Sequence, residues 1–358
     1  MKILHVITSL QTGGAEKLMV DLLPRLRAAG HDISLCLFDG VDTPFKSEIQ
    51  KSGIPLIEFS RGRSVYHPLN LIRLRKLLQD YDIVHTHNYA PQIFAAIASI
   101  GRHIRLVTTE HGGSNRRRKY KFYAHIDRWM YHRYNQVICI ADKTRQNLSA
   151  FVGDSVRNLT VINNGVDVQK YASAIPSDSL EKIAPGSRKI IMVAGLRWEK
   201  DQDTVIRALK HLPTDFHLFF VGDGTRRDEL ESLAASLGLT QHVHFMGVRT
   251  DVAELLHAAD YIVMSSHFEG LSLSSVEGMS VGKPFLASDV DGLREVVSGA
   301  GILFPHGDHQ TLAEEILSIE SSSDMYTSIS STCRLRASHY GIAHMVDGYL
   351  KIYQSIKY

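Results

Sequence analysis

Two kinds of apolar pattern alternate along the chain. Short continuous runs such as "KILHVIT" (2–8), "DISLCLF" (32–38), "DIVHTH" (82–87), "IRLVTTE" (104–110) and "QVICIA" (136–141) have the length and β-branched content of buried strands. Between them, "AEKLMVDLLPRLRAAG" (15–30) repeats its apolar residues at helical spacing and stops on a glycine. The pattern lapses at about 172–188, where serine, proline and charged residues give the composition of a linker. It then restarts. "KIIMVAG", "HLFFVGDG", "HVHFMG", "YIVMSS" and "PFLAS" read as strands, and "DQDTVIRALKHL", "TRRDELESLAASLG" and "DVAELLHAA" as helices. Strands that alternate with helices predict a parallel sheet covered on both faces, here twice over: two Rossmann-like α/β domains in tandem. Ligands of such sheets bind beyond the carboxyl ends of the strands. The expected site therefore lies in a cleft where two such domains face each other.

A length of 358 residues agrees with two domains, since one core seldom grows that large. No apolar run approaches the roughly 18 residues a membrane span needs, and the N-terminal stretch lacks the pattern of a signal peptide. Cys36, Cys139 and Cys333 are too few and too scattered for a disulfide framework or a zinc site, so a reducing cytoplasm is expected. Charge changes the picture more. Residues 1–170 hold 24 Lys and Arg against 14 Asp and Glu, whereas residues 171–358 hold 16 against 24. The first half is thus built to face something anionic. Its most basic stretch, "RRRKYKFYAHIDRWMYHRY" (116–134), mixes cations with aromatics as a helix at an anionic lipid surface does. Arg116, Arg117, Arg118, Lys119 and Lys121 are its candidate lipid contacts. No nucleic-acid motif accompanies them.

The remaining candidates sit in loops after strands. Gly13 and Gly14 let backbone approach a ligand phosphate, although "GG" is not a dinucleotide fingerprint. Lys200 follows the strand "KIIMVAG", where an ammonium can neutralise a leaving diphosphate. In "HFEGLSLSSVEGM" (267–279) two glutamates bracket a glycine and the start of a helix. Gly270 permits a close turn, and the backbone N–H groups of about 271–275, Leu271 and Ser272 included, form a diphosphate cradle. His85 and His87 share a strand face, but no third ligand for a metal is evident. "DQD" (201–203) and "DVD" (289–291) look like metal-binding aspartate pairs and are discounted as such.

This layout, taken with "GGAE" (13–16), "TEHGG" (109–113), "VINNGVD" (161–167), "VAGLRWEKDQDTVIRAL" (193–209), "FVGDGTRRDEL" (220–230), the block at 245–297 and "GILFPHGDHQTLAEEI" (301–316), resembles the family 4 retaining glycosyltransferases of the GT-B fold. The resemblance runs along nearly the whole chain. It implies transfer of a sugar from a UDP- or GDP-sugar to a glycan or lipid-linked acceptor, as in lipopolysaccharide or capsule synthesis. The sugar's configuration would be kept, with neither metal nor cofactor, at the inner membrane face. It implies three parts: an acceptor domain at 1–170, a nucleotide-sugar domain at 171–344 and a final helix, 345–358, crossing back to the first. It gives His111, Lys200 and Glu269 as catalytic residues, with Glu269 on the sugar hydroxyls and Glu277 on the ribose. Gly222 and Val248 would lie near the base, and His87 or Asn88 near the acceptor. Where the family commonly has an arginine, five residues before the lysine, this chain has Gly195, and Arg197 is the candidate replacement. Two other readings remain at this point: a nucleotide-sugar epimerase of similar fold, and an inactive nucleotide-sugar-binding protein.

Overall fold

In the computed structural model, which describes residues 1–11, 13–111, 120–153, 155–269 and 272–356, the apolar runs become the strands of two parallel sheets. The first holds β1 (Lys2–Ile7), β2 (Asp32–Leu37), β3 (Leu56–Glu58), β4 (Ile83–His87), β5 (Arg105–Glu110), β6 (Gln136–Cys139) and β7 (Leu159–Val161), in the order β3-β2-β1-β4-β5-β6-β7. The second holds β8 (Arg188–Val193), β9 (Phe216–Val221), β10 (Val243–Phe245), β11 (Tyr261–Met264), β12 (Phe285–Ser288) and β13 (Ile302–Phe304), in the order β10-β9-β8-β11-β12-β13. Each order reverses once, between β1 and β4 and between β8 and β11. At such a switch point the connections leave toward opposite faces and open a crevice at the strands' carboxyl ends.

The chain divides into two compact units. One is Met1–Asn164 together with Ile342–Tyr358, and the other is Gly165–Gly341. The division falls a few residues earlier than 170 and 344. At the first point "NG" (164–165) breaks the pattern directly after β7. At the second, Ile342 is already buried in the first core, so the last helix begins there rather than at 345. That helix, Ile342–Ser355, lays Met345, Val346, Tyr349 and Tyr353 against Ile3, Ile7, Leu18 and Leu22 of the first unit. The expected linker around 172–188 belongs to the second unit and carries a short helix, Ser179–Ile183, with Leu180 in that unit's core.

Close approach requires glycine at several positions, Gly278 and Gly222 among them. Gly278, within the helix Leu273–Ser280, lets that helix sit directly on β11 and β12, since a Cβ there would meet the Phe285 ring at 2.7 Å and the Ile262 side chain at 3.0 Å. Gly222, just past β9, has φ +138°, and a Cβ there would run into the Ala194 carbonyl. Gly222→Ala is expected to lower stability by about 1–3 kcal/mol, through backbone strain and that clash. A shift in the denaturant midpoint of unfolding checks this, and an unchanged midpoint would contradict it.

Candidate active site

Among the described residues, Gly13 and Asn88 in the first unit and Lys200 and Glu269 in the second follow the strands that flank the two switch points, whereas Gly222 and Val248 follow β9 and β10. In the second unit, β8 runs into a turn at Trp198–Lys200 that ends on Asp201. Asp201 adopts φ 45° and ψ 46°, a left-handed conformation that aspartate tolerates better than most residues. The residue reverses the chain into the helix Gln202–Leu209 and presents Lys200 at the strand ends.

The loop after β11 is stitched to this turn. The buried Ser265 hydroxyl donates to the Asp201 carbonyl (2.6 Å), and the His267 N–H to the Glu199 carbonyl (2.9 Å). Ser266 exchanges hydrogen bonds with the Ser288 hydroxyl of β12. These ties bring Glu269 onto Lys200 as a close ion pair, and the Ser266 hydroxyl donates to the same carboxylate at 2.9 Å. Lys200 and Glu269 stay partly exposed, at 27% and 12%. The pair is therefore reachable by a ligand without unfolding anything.

Ser272 caps the helix Leu273–Ser280: its hydroxyl accepts from the Ser275 N–H at 3.3 Å. Glu277 stands half-buried one turn further in. Gly270 and Leu271 lie outside the described residues. The Gly222 N–H donates to the Gly247 carbonyl (2.9 Å), which joins the ends of β9 and β10 beside the exposed Val248. Arg197 is exposed, and its Nε lies 3.5 Å from where a Cβ at Gly195 would be. The guanidinium stem thus fills the direction that a side chain at 195 would take. The sequence reading missed an aromatic wall here: Trp198 and Phe268, each more than half exposed, with the His267 ring 4.4 Å from the indole.

In the first unit, Gly13 is the extended N-cap of the helix Gly14–Ala28. The Glu16 carboxylate folds back against Gly13 and accepts from Asn88 Nδ2 at 3.4 Å. Asn88 itself holds φ 67° at the end of β4. His87 is fully buried rather than presented to an acceptor. Its Nε2 meets His5 Nδ1 and its Nδ1 meets His111 Nε2, both at 3.0 Å. Burial pushes His5 down to about 3 and His111 to about 4, and holds His85 and His87 well below the usual imidazole range. All four rings are neutral at physiological pH. Arg116, Arg117, Arg118 and Lys119 lie outside the described residues, as does the side chain of Lys121.

His5 corrects the sequence reading on one point. Its strand neighbour in register is His85, so His5, His85 and His87 form a three-imidazole group that spacing within one segment does not reveal. Their ring nitrogens, however, already serve as hydrogen-bond partners to one another, to Tyr353 and to Thr109. Asp201 likewise groups with His267 and His306, while Asp203 binds Arg226 through both oxygens (2.7 and 3.0 Å). Asp289 and Asp291 both pair with Arg294.

The profile described as "Glycosyltransferase Family 4" matches residues 12–170, and that described as "Glycosyl transferases group 1" matches residues 178–336. The chain belongs to the group 1, family 4 glycosyltransferases. EpsD of Bacillus subtilis (strain 168), whose name assigns it provisionally as a glycosyltransferase, is 27% identical over 86% of this chain and 85% of its own. A UDP-Gal:alpha-D-GlcNAc-diphosphoundecaprenol alpha-1,3-galactosyltransferase of Escherichia coli is 28% identical over 62% of each chain. Among solved structures, HepE of Anabaena in complex with UDP superposes with a TM-score of 0.85 at 25% identity, covering 99% of this chain and 100% of that one. The fold is thus GT-B, with two parallel-sheet α/β units.

Proposed function

We propose that this glycosyltransferase moves a sugar from a nucleoside-diphosphate sugar, most naturally a UDP-sugar, to a lipid-linked or cell-surface glycan precursor, with retention at the anomeric carbon. The observation that carries the reading is the Lys200–Glu269 pair beside the Ser272-capped helix, at the switch point of the second sheet. A diphosphate lying over the helix N-terminus draws Lys200 toward it and releases Glu269 for sugar hydroxyls, for which a carboxylate is a strong acceptor. Glu277, one turn into the helix, takes the ribose hydroxyls. Gly222 and Val248 flank the base. Arg197 takes the part of the arginine that Gly195 lacks, because its guanidinium already occupies that direction. The UDP complex of HepE supports a uridine donor, and the name of the E. coli relative supports a lipid-linked acceptor.

In the proposed chemistry the glycosidic C–O bond to the diphosphate breaks and the acceptor oxygen bonds the same face of the anomeric carbon. The departing phosphate oxygen takes the acceptor proton. Lys200 and Arg197 stabilise the charge that collects on the diphosphate. No step calls on a metal, and turnover in EDTA is expected to match that in buffer alone. Activity lost to chelation and restored only by Mg²⁺ or Mn²⁺ would contradict this. Retention is tested on the product, whose anomeric proton coupling should match that of the donor. Donor turnover without any acceptor would favour the epimerase instead.

The helix Lys121–His132 supports a membrane-side acceptor. Tyr120, just before it, and Phe122, Tyr123 and Trp129 are exposed, while Met130 and Tyr131 hold the helix to the core. No described helix is long and apolar enough to cross a membrane, so the proposed contact is peripheral. Salt-sensitive sedimentation with anionic vesicles is the expected result. Absence of binding at low salt would favour a water-soluble acceptor.

A further inference from the structure

We propose that Tyr353, acting through His5 and His87, is a positioning residue that fixes His111 as its Nδ1–H tautomer, so that this ring meets the transferred sugar as a hydrogen-bond donor. The tautomer follows from the hydrogen-bond chain alone. Only the destination of the N–H rests on taking His111, a catalytic residue by the family resemblance, as a contact of the transferred sugar.

The chain is continuous through the first core. His111 Nε2 meets His87 Nδ1 (3.0 Å), His87 Nε2 meets His5 Nδ1 (3.0 Å), and His5 Nε2 meets the Tyr353 hydroxyl (3.3 Å). That hydroxyl also meets His85 Nδ1 (2.6 Å), His85 Nε2 meets the Thr109 hydroxyl (2.8 Å), and Thr109 meets the Tyr349 hydroxyl (3.1 Å). Apart from His111, every member is fully buried. The imidazoles are stacked, with centroids 4.9 Å apart for His5–His85 and 4.5 Å for His85–His87.

Hydrogen counting decides the direction. Burial keeps the imidazoles neutral, and it raises both phenols so that they stay protonated, Tyr349 to about 12. Seven groups thus bring one hydrogen each to six contacts. A neutral imidazole has one N–H and one lone pair, so each interior ring must donate on one side and accept on the other. Suppose the chain runs from Tyr349 toward His111. Every contact is then filled, and the seventh hydrogen emerges on Nδ1 of His111. Any other arrangement strands that hydrogen on a buried hydroxyl of Tyr353, Thr109 or Tyr349, none of which has another partner among the described residues. It also leaves Nδ1 of His111 as a bare lone pair. An unbonded hydroxyl hydrogen in a core is among the costlier polar defects, so the first direction prevails. His111 Nδ1 is buried and has no partner among the described residues, as an N–H held for a ligand oxygen would.

Tyr353 is the joint of the chain. In Tyr353→Phe the three rings His5, His87 and His111 lose their donor, and neither direction is then favoured. Tyr349→Phe removes an equally buried hydroxyl, yet Thr109 can still donate to His85, so the direction is kept. The test is the ¹⁵N spectrum of histidine-labelled full-length protein without ligand, with His111 assigned from His111→Gln. Expected are a protonated Nδ1 and a bare Nε2 on His111 in the wild type and in Tyr349→Phe, and a mixed or reversed pattern in Tyr353→Phe. A protonated Nε2 in the wild type, or no change in Tyr353→Phe, would overturn the proposal. The wild-type spectrum decides it even if Tyr353→Phe does not fold. For the sugar contact, Tyr353→Phe should weaken a UDP-sugar roughly threefold to tenfold while sparing UDP. Equal weakening of both would mean a general loosening of the fold and would remove the positioning role. The expected spectrum with unchanged UDP-sugar affinity would keep the relay and refute the sugar contact.

Discussion

Lys200→Ala is expected to lower turnover by about a hundredfold to a thousandfold, the loss typical when one preorganised group facing developing charge is removed. Lys200 stands at the end of a turn fixed by the left-handed Asp201 and by the buried Ser265 hydroxyl, so its ammonium is held in place before a ligand arrives. Charge on the diphosphate grows as the glycosidic bond breaks. In the proposed chemistry the lysine is therefore expected to contribute more to the transition state than to the bound donor. Glu269 keeps the Ser266 hydroxyl as a partner in the variant, which limits the damage to donor binding. Single-turnover rates and donor titrations on the same protein separate the two effects. Equal losses in binding and turnover would mean that Lys200 only holds the ground state.

Removal of residues 342–358 is expected to unfold the first unit. The helix buries Ile342, Met345, Val346, Tyr349 and Tyr353 against the opening strand and helix of the chain. At about 1.5–3 kcal/mol for each fully buried large side chain, five of them contribute roughly 8–15 kcal/mol. That is comparable with the whole stability of a domain, about 5–15 kcal/mol. The second unit keeps its own core and has no residue from this helix in it. Limited proteolysis of the truncated chain should therefore degrade 1–164 while 165–341 survives. A truncated protein with unchanged melting temperature and intact 1–164 would contradict this.

What could be read from the sequence follows the range of the interactions. β1, β2, β8, β9 and β11 announce themselves because a buried parallel strand is a continuous apolar run. β3, β7 and β13 have three residues each and, unlike the equally short β10, are not part of a longer apolar run, so pairing with a neighbour is what makes them strands. Lys200, Glu269 and Glu277 can be singled out because the turns that place them are local words. Trp198 and Phe268 went unremarked because an exposed aromatic has no periodicity to betray it. The relay behind His111 was out of reach for a different reason. It depends on the register that sets His5 beside His85, and on a tyrosine that is 348 positions from the histidine it meets. The two histidines of "HTH" offered a shared strand face without a third ligand, and His87 or Asn88 was the candidate acceptor contact. The third, on another strand, turns that face into the interior.

The claim on which the rest depends is that the capped helix and its glutamates form the donor site of the second unit. Calorimetric titration of UDP in the presence of EDTA, into the wild type and into Glu277→Ala, addresses it directly. The wild type should bind, and loss of a charged acceptor for the ribose hydroxyls should weaken binding by about 1.5–3 kcal/mol, roughly tenfold to more than a hundredfold, in a variant that melts at the wild-type temperature. Equal affinity in the two proteins, or no binding of UDP or GDP to the folded wild type, would contradict the account.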